Sequence, residues 1–322
     1  MKSSVWLIAA ALALSTALPA QAADKIKVVA TFSVLGDLAS EIGGDHVEVR
    51  TLVGPNGDAH TFEPSPADAK AMGSAAVLVE NGLGLEGWLS RLIKVSGFKG
   101  EAVIATTGVK PIAWTGAEEE GEAQDAGADK AEAGHDHDGH AEGGHSHSLD
   151  PHAWQNPLNG VIYVENIVAG LTAADPDHAA EYKAKGDKLA AELKAVDARL
   201  KEEFAAVPEA RRKIVTSHDA FGYFAAAYGI QFIAPEGVST ESEASAADVA
   251  KIIRQIKAEK ITALFAENIT DPRLLNQIAR ETGVKIGGSL FSDALSPPDG
   301  PAPTYLKMFA NNSEKLLAAM KD

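Results

Sequence analysis

The chain has 322 residues, 45% of them hydrophobic and 23% charged, enough for two packed cores and too apolar for disorder throughout. It has no cysteine, which excludes disulfides, thiolate metal sites, iron–sulfur clusters and cysteine nucleophiles. A formal net charge of −16 argues against nucleic acid and anionic membranes, both polyanions, and is compatible with cations as ligands.

Residues 1–22 read as a secretory signal. Lys2 supplies the positive start, 5–14 is an apolar run well short of the ~20 residues that span a bilayer, and Ala20-Gln21-Ala22 matches the cleavage pattern. There is no twin-arginine pair and no cysteine at the cut for a lipid anchor. A soluble, periplasmic mature protein is expected.

The mature chain then alternates strands and helices. Strands are expected at 25–31, 47–53, 76–80 and 102–105, with helices at 66–72, which has proline in its first turn, and 88–95. Composition changes abruptly at 117–148, a stretch of Gly, Ala, Glu, Asp and His with no large apolar residue. Such a segment cannot bury enough surface to offset its ordering entropy, so a disordered acidic, His-rich loop is expected. Order resumes at Leu149 with an amphipathic helix at 157–171.

Asp175-Pro176 then reads as N-cap and first residue of a long helix. Leu189, Leu193, Val196, Leu200 and Phe204 form one continuous helical stripe, and Pro208 ends it. A helix from 176 to about 205 is roughly 45 Å long, too long for one small domain. A second set follows, with strands at 213–217, 231–234, 261–267 and 285–287 and helices at 220–228, 246–259, 271–282 and 304–321. The fold class is therefore α/β: two lobes, each with a mostly parallel sheet flanked by helices, joined by one stiff helix. The expected boundaries are 23–175 for the first lobe, 176–207 for the linking helix and 208–322 for the second lobe.

Ten histidines are present. His135, His137, His140, His145 and His147 lie in the acidic loop, in H-x-H-x-x-H and H-x-H spacings that can bind zinc weakly and so collect ions; the alternative is a solvated tract with no role in uptake. His60 and His218 follow strands, where open α/β sheets bind ligands, and His152 sits in a stiff Asp-Pro-His turn before a helix. His46, in a turn between helix and strand, and His178, in the first turn of the long helix, read as ordinary surface residues. Without cysteine, a closed tetrahedral zinc site needs a carboxylate as fourth ligand. Asp293 has the best position for it; Asp58, Asp219, Glu241 and Glu267 compete, and Asp219 or Glu267 could instead orient a ligand from behind. Ser217-His218-Asp219 is no catalytic triad, because adjacent residues cannot form that relay. Gly82-Leu83-Gly84 lacks the rest of a dinucleotide fingerprint, and neither a phosphate-binding loop nor H-E-x-x-H occurs. Trp88, Trp114 and Trp154 read as packing residues.

The segments VVATFSVLGDLASEIGGD, LVGPNGDAHTFEPSPADA, DPHAWQNPLN, DPDHAAEY, TSHDAFGYFAAAYGI, STESEASAADVAKI and LFSDALS cover nearly the whole mature chain. Together they resemble the metal-binding solute receptors of ABC uptake systems known as cluster A-I or cluster 9, most of all zinc receptors of the ZnuA type. The resemblance implies two four-stranded parallel lobes joined by a rigid backbone helix, with the metal between them. It carries the ligands onto His60, His152, His218 and Asp293, two from each lobe. Manganese receptors of this family typically have Glu where His218 stands, and three imidazoles with one carboxylate suit zinc better. Zinc receptors often carry an acidic His-rich loop such as 117–148. Gln155-Asn156-Pro157 departs from the more usual acidic residue before proline, Ala59 stands where some zinc receptors have an acid, and cysteines paired in some second lobes are missing.

The implied protein is no enzyme, because a closed four-ligand site leaves no open position for water or substrate. It is a monomeric periplasmic receptor that hands Zn²⁺ to a membrane permease driven by a separate ATPase. A periplasmic metallochaperone is a further candidate partner, and nucleic acid is not. The competing readings are a manganese or iron receptor, a zinc-buffering or adhesion protein without a transporter, and a zinc hydrolase.

Overall fold

The computed structural model describes residues 25–114 and 149–321. The expected signal segment and the 117–148 loop, with its five histidines, lie outside the described residues.

Strand β1 (Ile26–Phe32) opens the first sheet and runs straight into helix α1 (Ser33–Gly43). Val34, Leu35, Leu38 and Ile42 form the buried stripe of α1. A 3₁₀ turn (Gly44–His46) leads into β2 (Val47–Val53), and a twelve-residue passage carrying His60 leads to α2 (Pro66–Gly73). Ser65 and Asp68 close a reciprocal capping box at its start, with proline in the first turn as expected. Then come β3 (Val77–Glu80), α3 (Leu89–Ser96) and β4 (Glu101–Ile104). The strand order is β2-β1-β3-β4 and every pairing is parallel.

Helix α4 (Pro157–Ala174) packs along α5 (Ala179–Ala205), the long helix. Its 27 residues span about 40 Å. It begins later than the sequence pattern indicated, because Pro176–His178 forms a 3₁₀ turn first. The Asp175 carboxylate does not cap the backbone; it accepts from the Tyr182 hydroxyl at 2.6 Å and pairs with His178 Nδ1 at 2.7 Å. His178 is therefore held rather than freely solvated, and its ring stacks on His46 at 3.7 Å. His46 in turn meets Glu181 at 2.8 Å. Of the predicted stripe, Leu189, Leu193, Leu200 and Phe204 are buried and Val196 is half-buried.

The second sheet repeats the plan of the first. It comprises β5 (Lys213–Val215), β6 (Gln231–Ile233), β7 (Leu264–Glu267) and β8 (Ile286–Leu290), in the order β6-β5-β7-β8, again all parallel. Helices α6 (Gly222–Tyr228), α7 (Ala246–Glu259), α8 (Arg273–Thr282) and α9 (Tyr305–Lys321) flank it. Strand β8 runs three residues past its expected end because Gly287 lets Phe265 of β7 lie against the backbone; a Cβ there would sit 2.8 Å from that ring. Strand β7 begins three residues late, since the ladder to β5 has a single register pair, Val215 with Leu264.

One apolar core runs continuously from β1 through α5 to α9 and joins the lobes. Only the layer of α7 and α8 on the outer face of the second sheet forms a separate cluster. The lobes are also tied by polar contacts. Leu295 N–H donates to Ser33 Oγ at 2.8 Å, and Tyr305 N–H to Asp37 Oδ2 at 2.7 Å. Among the described residues no helix is long and apolar enough to cross a membrane.

Glu86 is a buried acid of the first lobe. It pins the turn after β3 by accepting from Thr31 Oγ1 at 2.7 Å, Asn81 N–H at 2.7 Å and Gly82 N–H at 3.2 Å. Burial, the largest influence, pushes its pKa up to about 7 against these bonds. A carboxyl whose folded pKa is raised binds its proton more tightly when folded. Its contribution is therefore fully present below the unfolded value of 4.5 and lost as pH rises to about 7. The loss amounts to about 3 kcal/mol, at 1.36 kcal/mol per pKa unit. The stability of Glu86→Gln relative to the parent protein should therefore improve by that order between pH 4 and pH 8, measured by urea unfolding without metal. A difference independent of pH would show that the folded pKa of Glu86 is not raised above its unfolded value.

Candidate metal centre

His60, His152, His218 and Asp293 come together in the cleft between the lobes, each offering one donor atom, all within 4.8 Å of one another. His60 is 7% exposed and the other three are fully buried. Asp293 Oδ2 lies 3.2 Å from His60 Nε2 and 3.2 Å from His218 Nε2, while Oδ1 lies 3.6 Å from His152 Nε2. His60 Nε2 and His152 Nε2 are 3.3 Å apart. A tetrahedron with metal–ligand bonds of 2.0–2.1 Å has edges of about 3.3 Å, so these separations match one central ion. Both Asp293 oxygens and His218 Nε2 are buried without a well-formed hydrogen bond, which a central cation would satisfy.

Each donor is aimed by local chain chemistry. Asp58 accepts the His60 backbone N–H at 2.8 Å, and Asp150 accepts that of His152 at 2.9 Å. These are two copies of one Asp-x-His turn, in which an aspartate bonds the N–H two residues on. Asp150 Oδ1 also meets His152 Nδ1 at 2.8 Å, leaving Nε2 to face the cleft. Behind His218, Glu267 Oε1 accepts the N–H of Ser217 at 2.8 Å and of His218 at 2.9 Å, and Oε2 lies 2.6 Å from Nδ1. Glu267 therefore acts from behind a donor.

The other competing carboxylates also fail to reach the cleft centre. Asp58 holds its own turn and accepts Thr240 Oγ1 across the cleft at 2.6 Å. Asp219 accepts the Trp114 indole at 3.0 Å, and Glu241 is exposed. Asp150 was not singled out from sequence, although the repeated Asp-x-His spacing signals it.

The electrostatics follow from this packing. Burial alone would lower the His152 pKa; the Asp293 and Asp150 carboxylates overcome it and raise the value to about 9. His218 is likewise lifted against burial by Glu267 and Asp293. Burial pushes Asp293 up, but His218 and His152 hold it well below the usual carboxylate range. The cluster is a negative point ringed by imidazoles, arranged for a cation.

Asp293 belongs to the second lobe by chain order, yet its segment is fastened to the first. Trp154 Nε1 and Gln155 Nε2 both donate to Ser292 C=O, at 2.9 and 2.6 Å, and Asn56 N–H donates to Leu295 C=O at 3.0 Å. The second lobe holds the same segment: Asn268 Oδ1 accepts Ser292 N–H at 3.3 Å, Asn268 Nδ2 donates to Ala294 C=O at 3.1 Å, and Asn312 Oδ1 accepts Phe291 N–H at 3.0 Å, so both lobes fix Asp293. The unusual Gln155-Asn156 pair fits here: Gln155 donates where an acid could not, and Asn156 caps α4 by accepting Leu158 N–H at 2.8 Å.

Residues 28–319 match the family model described as ZnuA, zinc-uptake complex component A, periplasmic. The chain belongs to this family. It is the substrate-binding receptor of a metal ABC transporter, and the family is one of transport receptors and not of enzymes. The receptor is 32% identical over 290 residues to iron-binding protein YfeA of Yersinia pestis, covering 90% of this chain and 85% of that protein. The periplasmic zinc-binding protein TroA of Treponema pallidum superposes with a TM-score of 0.79 at 26% identity, over 92% of this chain and 99% of that one. A manganese-bound periplasmic metal-binding protein from Candidatus Liberibacter asiaticus superposes with a TM-score of 0.75 at 28% identity, over 92% and 100%.

Proposed function

We propose that the cargo is Zn²⁺, bound by His60, His152, His218 and Asp293 in the periplasm and passed to a permease powered by a separate ATPase. The observation that carries this reading is the donor set: three imidazole nitrogens and one carboxylate, buried and all within 4.8 Å of one another. Imidazole-rich four-donor sites favour zinc, whereas manganese favours more oxygen donors. The names of YfeA and of the manganese-bound neighbour make an iron or manganese receptor the second reading. The loop histidines His135, His137, His140, His145 and His147 are assigned to weak zinc collection around the cleft.

Metal content of the purified mature protein, followed by zinc titration in the presence of excess manganese, tests the reading. One tight zinc per chain that manganese fails to displace, and that His60→Ala fails to retain, is the expected result. A larger melting-temperature rise with manganese than with zinc would transfer the protein to the second reading. Deletion of 117–148 should weaken acquisition at scarce zinc and leave the tight site intact; unchanged acquisition would remove the collecting role.

A further inference from the structure

The three tryptophans of the described residues read from sequence as packing residues, but their indole N–H groups share one pattern. Trp88 Nε1 donates to Ala59 C=O at 2.8 Å, the residue before His60. Trp154 Nε1 donates to Ser292 C=O at 2.9 Å, the residue before Asp293. Trp114 Nε1 donates to Asp219 Oδ2 at 3.0 Å, the residue after His218. The acceptors belong to three separate segments, each next to a different donor of the metal centre. The fourth donor, His152, lies two residues before Trp154, and its ring meets that indole at 5.2 Å.

Each ring is itself held. Trp88 packs edge-on against Phe62 at 5.0 Å, and Trp154 is fully buried with Phe32 at 4.8 Å. The half-buried Trp114 lies against Gly237, where a Cβ would stand 3.1 Å from the indole, and Gly237 C=O accepts Asp219 N–H at 3.0 Å. Indole is a rigid body with one donor and no acceptor. A ring fixed by packing therefore holds its acceptor at a fixed place, as a flexible polar side chain would not. Two of the bonds cross the cleft: Trp154 of the first lobe grips the Asp293 segment, and Trp114 grips the residue beside His218.

We propose that Trp88, Trp114 and Trp154 are positioning residues for the cargo ion, each indole N–H fixing the backbone or side chain beside one ligand, so that the hold on the metal depends on all three bonds. None of the three reaches the ion. They set the donor separations before it arrives, which lowers the ordering cost of binding. The inference rests on His60, His218 and Asp293 being the ligands.

Phenylalanine keeps most of each ring and removes the N–H. Trp88→Phe, Trp114→Phe and Trp154→Phe, each in the full mature chain, should release Zn²⁺ about five- to tenfold faster into excess chelator, with association changed little. Co²⁺ in place of Zn²⁺ should show altered visible absorption bands in each variant, a signature of ligand geometry that packing alone does not move. Melting without metal gives the comparison. A packing role lowers that melting temperature and leaves release rate and cobalt spectrum at the parent values, which would overturn the inference. Trp114→Phe decides the matter if Trp154→Phe fails to fold, because Trp114 is half-exposed and its replacement opens no core. If the parent protein holds no tight zinc, or His60→Ala binds as the parent does, the ligand assignment fails instead.

Discussion

Asp293→Asn is expected to weaken zinc binding by about a hundredfold while leaving the fold intact. Structural zinc sites yield about 10–16 kcal/mol shared among four ligands, so one ligand is worth roughly 3 kcal/mol. At 1.4 kcal/mol per factor of ten, that is about two orders of magnitude. Asparagine nearly preserves the volume at this fully buried position, so a cavity does not complicate the result. The loss is specific to Asp293 because its two oxygens are the atoms that face all three imidazoles, at 3.2, 3.2 and 3.6 Å. Zinc at a thousand times the dissociation constant stabilises the parent by about 4 kcal/mol. The same concentration would be only about ten times the variant's dissociation constant, worth about 1.4 kcal/mol. Competition with a chromophoric chelator measures the first effect and melting with and without zinc the second. Unchanged affinity would move the fourth ligand to another group.

Phe204→Ala should cost about 3–5 kcal/mol of stability, the range for truncating a buried aromatic, and leave zinc affinity within about twofold. Phe204 is fully buried in the last turn of α5. Its ring meets Phe224 at 5.6 Å and Tyr228 at 5.7 Å, both on α6 of the second lobe. The substitution opens a cavity where the long helix joins that lobe, away from the cleft. Urea unfolding without metal measures the cost. A parallel loss of zinc affinity would show that the seating of α5 against α6 sets the spacing of the cleft; preserved affinity would show that contacts at the cleft itself set it. The latter is expected, because the Asp293 segment is tied directly to Ser33, Asn56, Trp154 and Gln155.

Chain order and periodicity were enough for the α/β alternation, the long helix and the three histidines at strand ends and a stiff turn. Those signals are local: β-branched runs make strands, an apolar stripe at helical spacing makes α5, and turn residues mark His60, His152 and His218. Even the shifted start of α5 has a local cause, since Asp175 finds Tyr182 and His178 before it finds the backbone.

The choice of Asp293 over four other carboxylates was not local. Asp58, Asp219 and Glu267 each have the chemistry, and tertiary packing spends them elsewhere: on a turn, on an indole and behind His218. Nor could sequence spacing show that the Asp293 segment is tied to the first lobe as well as to the second, or that each tryptophan aims its N–H beside one of the four clustered donors. Those facts depend on pairs separated by 138 residues for Trp154 and Ser292, and by 105 for Trp114 and Asp219. A donor group's identity is written in the chain, but its partner is decided by which segments the two sheets and the shared core bring within about 3 Å.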